Sequence, residues 1–207
     1  MRGVFITFEG PDGSGKTTQI KLLEQYFKEK GYDILITREP GGTKISEQIR
    51  SVILDKNNIE MDSITEALLY AASRAQHVAE FIRPALLKGK AIICDRFVDS
   101  SIVYQGIGRS LGIDFVKKIN DMAIGGTEPN ITFLLKVSPE IGLARKFSSH
   151  ECNRLDMENL EFHDEVYEGY LKLEKLYPER VIGIDARKSI EEVHREIINI
   201  INNRLEL

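Results

Sequence analysis

The feature that most constrains this chain is the run Gly10-Pro11-Asp12-Gly13-Ser14-Gly15-Lys16-Thr17. It matches G-x-x-x-x-G-K-[ST], a loop whose backbone N–H groups cradle phosphate. The motif has meaning only between a buried strand and a helix. Val4-Phe5-Ile6-Thr7-Phe8, apolar and partly β-branched, reads as a short parallel strand ahead of it. Behind it Ile20, Leu23 and Phe27 recur at i, i+3 and i+7, one face of a helix that stops near Gly31. The alternative is a glycine-rich turn with a chance Lys-Thr; strand, loop and helix in this order speak against it.

The loop's chemistry follows. Glycines at 10, 13 and 15 allow positive φ and bring successive N–H groups onto phosphate oxygens. The helix N-terminus adds a field that favours anions. Lys16 is placed for the β- and γ-phosphates, and the Thr17 hydroxyl for Mg²⁺.

Four further strands are expected, at Ile34-Leu35-Ile36, Ala91-Ile92-Ile93-Cys94, Ile131-Thr132-Phe133-Leu134-Leu135 and Val181-Ile182-Gly183-Ile184. Helical patterns separate them. The expectation is α/β: a P-loop NTPase fold with a five-stranded parallel sheet and helices on both faces. No repeat, low-complexity stretch or linker interrupts the 207 residues, so a single domain over 1–207 is expected. The last helix shows Ile190, Val193, Ile197, Ile201 and Leu205 on one face, with Ser189 and Glu192 as a capping box.

Composition excludes several classes. Net charge is -4 with no basic tract, which argues against a nucleic-acid polymer as partner. Cys94 and Cys152 fit neither a metal spacing nor a disulfide framework, and Cys94 reads as a buried thiol. No segment reads as a membrane span, and Met1-Arg2-Gly3 leads directly into a strand rather than a signal peptide. A cytoplasmic enzyme is the expectation.

In open sheets, ligands bind beyond the carboxyl ends of the strands. The segments 9–17, 37–43 and 95–109 follow three such ends and should line one cleft. Arg38 and Arg96 then sit at its rim, where two guanidinium forks can grip a second phosphate. Each could instead be a surface ion-pair partner. Pro40 marks a rigid turn of either isomer. Asp95 closes its strand where a carboxylate orients Mg²⁺, or caps the next helix.

A helix from about Thr65 to Ile82 has two stripes. Leu68, Ala71, Ala72, Ala75, Val78, Ala79 and Ile82 form the apolar one. Tyr70, Arg74 and His77 lie on another. An aromatic one turn from an arginine suits a flat base, and it also suits a surface or interface. His77 and His163 read as structural.

At this point the residues resemble a known family. Phe8 to Gln19 is similar to the P-loop of thymidylate kinases. So are Thr37-Arg38-Glu39-Pro40-Gly41-Gly42-Thr43, Leu68 to His77, Asp95 to Gly106, and Asn153-Arg154-Leu155-Asp156. The resemblance implies transfer of the ATP γ-phosphoryl to deoxythymidine monophosphate (dTMP), giving the diphosphate. It implies ATP contacts from the loop residues 10–17, with Thr18 beside them. Asp12 would accept from the sugar 3′-hydroxyl, and Arg38 and Arg96 would hold the acceptor phosphate. Tyr70 stands where the family usually has a base-stacking Phe. Arg74 would bond a thymine carbonyl, and Ser101, with Ser100 beside it, the ring N–H. Tyr104 would crowd C2′, Gln105 would line the same pocket, and Glu9 would support Mg²⁺ waters and Tyr104.

Some family members carry a P-loop arginine where this chain has Gly13. The variant without it resembles the bacterial type, in which a mobile lid supplies the cations. Residues 141–156 are the expected lid. Arg154 is the expected contact to the transferring phosphoryl, Arg145 the expected adenine or phosphate contact, and Lys146 an extra cation. Solvated helix charges are the alternative. Catalysis would fall to Lys16, Arg96, Arg154 and Asp95. The resemblance also implies a homodimer. The rival readings are another mononucleotide kinase, with uridylate or cytidylate as acceptor, and a nucleotide-dependent switch protein. No Asn-Lys-x-Asp run supports the switch.

Overall fold

The computed structural model describes residues 3–147 and 154–205, with the side chains of 146 and 147 left aside. The centre of the expected lid, 148–153 with Cys152 and Asn153, and the Lys146 side chain lie outside the described residues.

Five parallel strands form the sheet: β1 (Val4–Glu9), β2 (Ile34–Arg38), β3 (Ala91–Asp95), β4 (Ile131–Lys136) and β5 (Val181–Asp185). Their order is β2-β3-β1-β4-β5. The chain winds to one side of β1 first and then to the other, which opens a crevice above the central strand's carboxyl end. In register, Phe8 lies opposite Asp95, and Arg38 is the partner of Asp95 on the other side. The loops after three strands therefore emerge side by side.

Strand alternation sorts the side chains. Ile6 and Phe8 pack with Ile20, Leu23 and Phe27 of α1 (Lys16–Glu29) and with Val193, Ile197 and Ile201 of α9 (Ile190–Arg204). Phe5 faces the opposite layer, against Val78, Ile82, Phe97 and Ile124. Thr7 and Glu9 share that second face, so Glu9 enters the protein interior and not the open cleft. Removing a buried ring such as Phe27 costs about 3–5 kcal/mol. The capping box expected on α9 is present: Ser189 Oγ accepts from Glu192 N at 3.2 Å, and Glu192 Oε2 accepts from Ser189 N at 3.0 Å.

The helix expected over residues 65–82 differs in two ways. It is α3 (Ser63–His77), and it continues as a π-helical turn over Val78–Ile82. Its buried face takes only part of the apolar stripe, Ala71, Val78 and Ile82, together with the polar one. Tyr70, Arg74 and His77 are buried, while Leu68 is 51% exposed and Ala72 and Ala79 face out. The reason is Glu39. Arg74 Nε donates to one of its oxygens at 2.6 Å and His77 Nδ1 lies 2.9 Å from the other. A buried carboxylate between two cationic or donor groups lets a polar stripe turn inward.

Candidate active site

Arg38, Tyr70, Arg74, Asp95, Arg96, Ser100, Ser101, Tyr104, Gln105 and Arg145 all line one cleft of about 890 Å³ with the P-loop residues 12–18. The P-loop enters α1 through Gly13 and Gly15, both at positive φ. At Gly13 a Cβ would come within 2.0 Å of the Gly142 carbonyl oxygen, on α7 (Pro139–Phe147). No arginine fits there without moving α7, which accounts physically for the departure noted in the sequence.

Lys16 Nζ donates to the Gly10 and Pro11 carbonyls at 3.0 and 2.9 Å. Burial, and then Arg96, push its pKa down to about 8; Asp95, Asp12 and Glu9 oppose them. With a pKa of about 8 the ammonium is still mostly charged at neutral pH, and its two carbonyl contacts hold it at the loop.

Arg96 is the centre of the acceptor side. Its backbone sits at φ 66, unusual for a non-glycine residue. Such an outlier costs about 1–3 kcal/mol and concentrates at functional positions. Nη2 donates to Asp12 Oδ1 at 2.7 Å; Nη1 donates to Ser100 Oγ at 3.2 Å and Tyr170 Oη at 3.0 Å. Burial opposes its charge, but Tyr104, Tyr170, Asp12 and Glu9 more than offset that, so it stays a guanidinium.

Glu9 accepts from Phe97 N at 2.7 Å, Ser100 N at 3.2 Å, Ser100 Oγ at 2.5 Å and Tyr170 Oη at 2.8 Å. Burial and then the Asp99 charge push its carboxyl up to about 7. Among the described residues its oxygens make no hydrogen bond to Tyr104 and hold the groups that hold Arg96. Asp95 keeps the other face of the sheet, toward α1, and its carboxylate makes no hydrogen bond among the described residues. With the exposed Thr17 hydroxyl it offers hard oxygen donors, the set that suits Mg²⁺ alongside phosphate and water.

In the slot beyond Arg96, Arg74 donates to Glu39, Ser101, Asn120 and the Phe97 carbonyl, leaving one of its five N–H groups. Ser101 Oγ thus accepts from Arg74 at 2.9 Å, and Ser100 is occupied by Glu9 and Arg96. Gln105 Oε1, buried with no partner among the described residues, is a further acceptor on the same cleft.

A thymidylate kinase family model matches residues 8–197. The thymidylate kinase of Geobacillus sp. (strain WCH70) is 52% identical over 100% of this chain and 99% of its own. That of Lactobacillus helveticus (strain DPC 4571) is 53% identical, over 99% and 98%. A crystal structure of thymidylate kinase from Ehrlichia chaffeensis superposes with a TM-score of 0.80 at 35% identity, covering 98% of this chain and 99% of that one. The chain belongs to the thymidylate kinase family.

In this member of the family Arg154 and Arg38 both have carboxylate partners. Arg154 does not line the cleft: it is buried, with Nε on the Ile53 carbonyl at 3.0 Å and Nη2 on Glu66 at 2.6 Å. It clamps the segment after 153 to α2 (Lys44–Leu54) and α3 in this structure. Arg38 is half-exposed and paired with Glu47 at 3.0 Å.

Sequence reasoning missed Arg50, Tyr170 and, beside the expected Arg145 at the donor end, Ala186, Lys188 and Ile190. Arg50 lines the cleft and donates to the Pro40 carbonyl at 2.6 Å. Burial and then Arg38 press its pKa down. Its signal was legible, since Arg50 falls between Ser46 and Ile53 at i+4 and i+7 on the buried stripe of α2. At the far end Ala186, Lys188 and Ile190 meet Arg145, whose Nη1 lies 3.5 Å from the Ala186 carbonyl. Tyr170 sits on α8 (Leu160–Leu176), with no local motif to mark it.

Proposed function

We propose that this chain transfers the γ-phosphoryl group of ATP to dTMP. The observation that carries the reading is one cleft with cations along its whole length. Lys16 stands at the middle, Arg38, Arg50 and Arg96 on the acceptor side, and Arg145 with Lys188 at the donor end. A hydrolase needs no second anion grip; transfer between two phosphorylated molecules does.

The chain's part in the reaction is positioning and charge. The P-loop N–H groups and Lys16 hold the donor phosphates. Arg96, braced by Ser100, Tyr170 and Glu9, aims at the acceptor phosphate with Arg38 and Arg50. Asp12, already paired with Arg96, is placed to accept from the sugar hydroxyl. Tyr70 covers the base, and the remaining Arg74 N–H meets a ring carbonyl. Tyr104, buried and beneath the Arg96 guanidinium at 5.3 Å, narrows the room at C2′. Thr17 and Asp95 would hold Mg²⁺, and the positive charge it supplies would favour the donor phosphates there.

The same reading takes 1–207 as one domain with a lid at about 141–156, working in the cytoplasm. No helix among the described residues is long and apolar enough to cross a membrane. It also takes the active form as a homodimer. Ile64 and Leu68 of α3, Ile45 and Val52 of α2, and Met122 of α6 (Ile113–Ile124) are exposed large apolar side chains on helices packed together.

The test is ADP release with Mg-ATP against dTMP, deoxyuridylate (dUMP), deoxycytidylate (dCMP), uridylate and no acceptor. We expect the highest kcat/KM with dTMP and little turnover without acceptor. Equal turnover with and without acceptor contradicts the proposal.

A further inference from the structure

Glu66 lies one turn before Tyr70 on α3 and is fully buried. Its carboxylate accepts from Gln105 Nε2 at 2.8 Å, Arg154 Nη2 at 2.6 Å and Arg109 Nη2 at 3.2 Å. Burial alone raises its pKa, but the donors from Gln105, Arg109 and Arg154 bring it below the usual glutamate range, so it is ionised. An ionised carboxylate only accepts hydrogen bonds. The carboxamide that faces it must therefore turn its NH₂ inward. That leaves Gln105 Oε1 as a buried acceptor with no partner among the described residues, on a residue that lines the cleft with Tyr70 and Tyr104. Orphaned buried acceptors are rare unless something else supplies the donor.

We infer that Glu66 is a positioning residue for base selection: it fixes the Gln105 carboxamide so that a carbonyl, not an NH₂, is offered to the pyrimidine ring. The inference rests on the proposed function. Thymine and uracil carry a hydrogen on N3 and satisfy Oε1. Cytosine carries a lone pair at N3 and sets acceptor against acceptor, which a buried site rejects. Free of Glu66, the carboxamide could rotate and serve either base. Because the same carboxylate holds Arg154, the selecting wall is also anchored to the segment entering Leu155–Met157.

The test is steady-state kinetics with Mg-ATP and dTMP, dUMP or dCMP, on the full-length enzyme, Glu66→Gln, Gln105→Leu and the double variant. In Glu66→Gln the dTMP-to-dCMP ratio of kcat/KM should fall by at least about tenfold, carried by KM. In the Gln105→Leu background the same change should move that ratio by less than about twofold. A general loss of structure lowers both substrates together and leaves the ratio alone. A ratio unchanged in Glu66→Gln, or shifted equally in both backgrounds, overturns the inference. If Glu66→Gln does not fold, the unaltered enzyme crystallised with dTMP decides. Oε1 within hydrogen-bond distance of N3, with Nε2 still on Glu66, supports the inference. A carboxamide turned away from Glu66 overturns it. Preference for dUMP over dTMP would refute the proposed substrate but not this inference, whereas preference for dCMP refutes both.

Discussion

Replacing Glu39 by Gln should strike the acceptor slot at its foundation. The Glu39 and Arg74 side chains are each 2% exposed and meet at 2.6 Å, with His77 on the second oxygen at 2.9 Å. Breaking a buried pair from one side costs about 3–5 kcal/mol, because the remaining charge has no water to return to. Gln retains one carbonyl acceptor, and Arg74 retains Ser101, Asn120 and the Phe97 carbonyl. The loss should therefore sit near the lower bound, about 3 kcal/mol. With a urea m-value of about 2 kcal/mol/M, the midpoint should fall by about 1.5 M with m unchanged. Total stability of about 5–15 kcal/mol leaves the variant folded at 25 °C. The chain has no Trp, so far-UV circular dichroism is the appropriate probe. The KM for dTMP should rise while that for ATP holds. A midpoint shift below about 0.3 M, or equal effects on both substrates, refutes the claim that Glu39 holds Arg74 in the slot.

Other perturbations separate the parts of the site. Lys16→Met should lower kcat by at least about a hundredfold with the dichroism spectrum intact, since it removes charge stabilisation and not core packing. Arg145→Ala should raise the KM for ATP about tenfold and leave the KM for dTMP unchanged, as measured by initial rates with each substrate varied. Arg154→Ala should lower the thermal midpoint more than it lowers kcat, because Arg154 braces Glu66 and the Ile53 carbonyl. Glu66 has a lowered folded pKa, so its stabilising contribution is complete above the unfolded value of about 4.5 and disappears as pH falls through the folded value. Urea midpoints of the unaltered protein and Glu66→Gln should therefore differ at pH 7 and converge in acid.

The sheet and its helices were legible in residue order because buried parallel strands are continuous apolar runs, and α1 and α9 bury the expected stripe apart from the exposed Ile190. Only part of the apolar stripe of α3 and the turn after it is buried, for a definite reason. Periodicity ranks side chains by polarity, and here the buried Glu39 carboxylate, just after β2, draws Arg74 and His77 inward while Leu68 turns out. The P-loop and both rim arginines lie in local motifs. Glu66 and Tyr170 do not: each acquires its place from an element distant in sequence. Arg154 shows the converse. A charged residue in the expected lid suggested phosphate, and only the three-dimensional arrangement reveals that Glu66 and the Ile53 carbonyl hold it. Glu9 was placed correctly in sequence next to the loop, but strand alternation turns it away from the cleft.

The central claim is that one crevice seats donor and acceptor phosphates end to end. A bisubstrate molecule, adenosine and thymidine joined through five phosphates, tests it most directly in inhibition kinetics. The account predicts competition against both ATP and dTMP, with an affinity well above that of either substrate. Competition against only one of them, with the other free to bind beside the inhibitor, would contradict it.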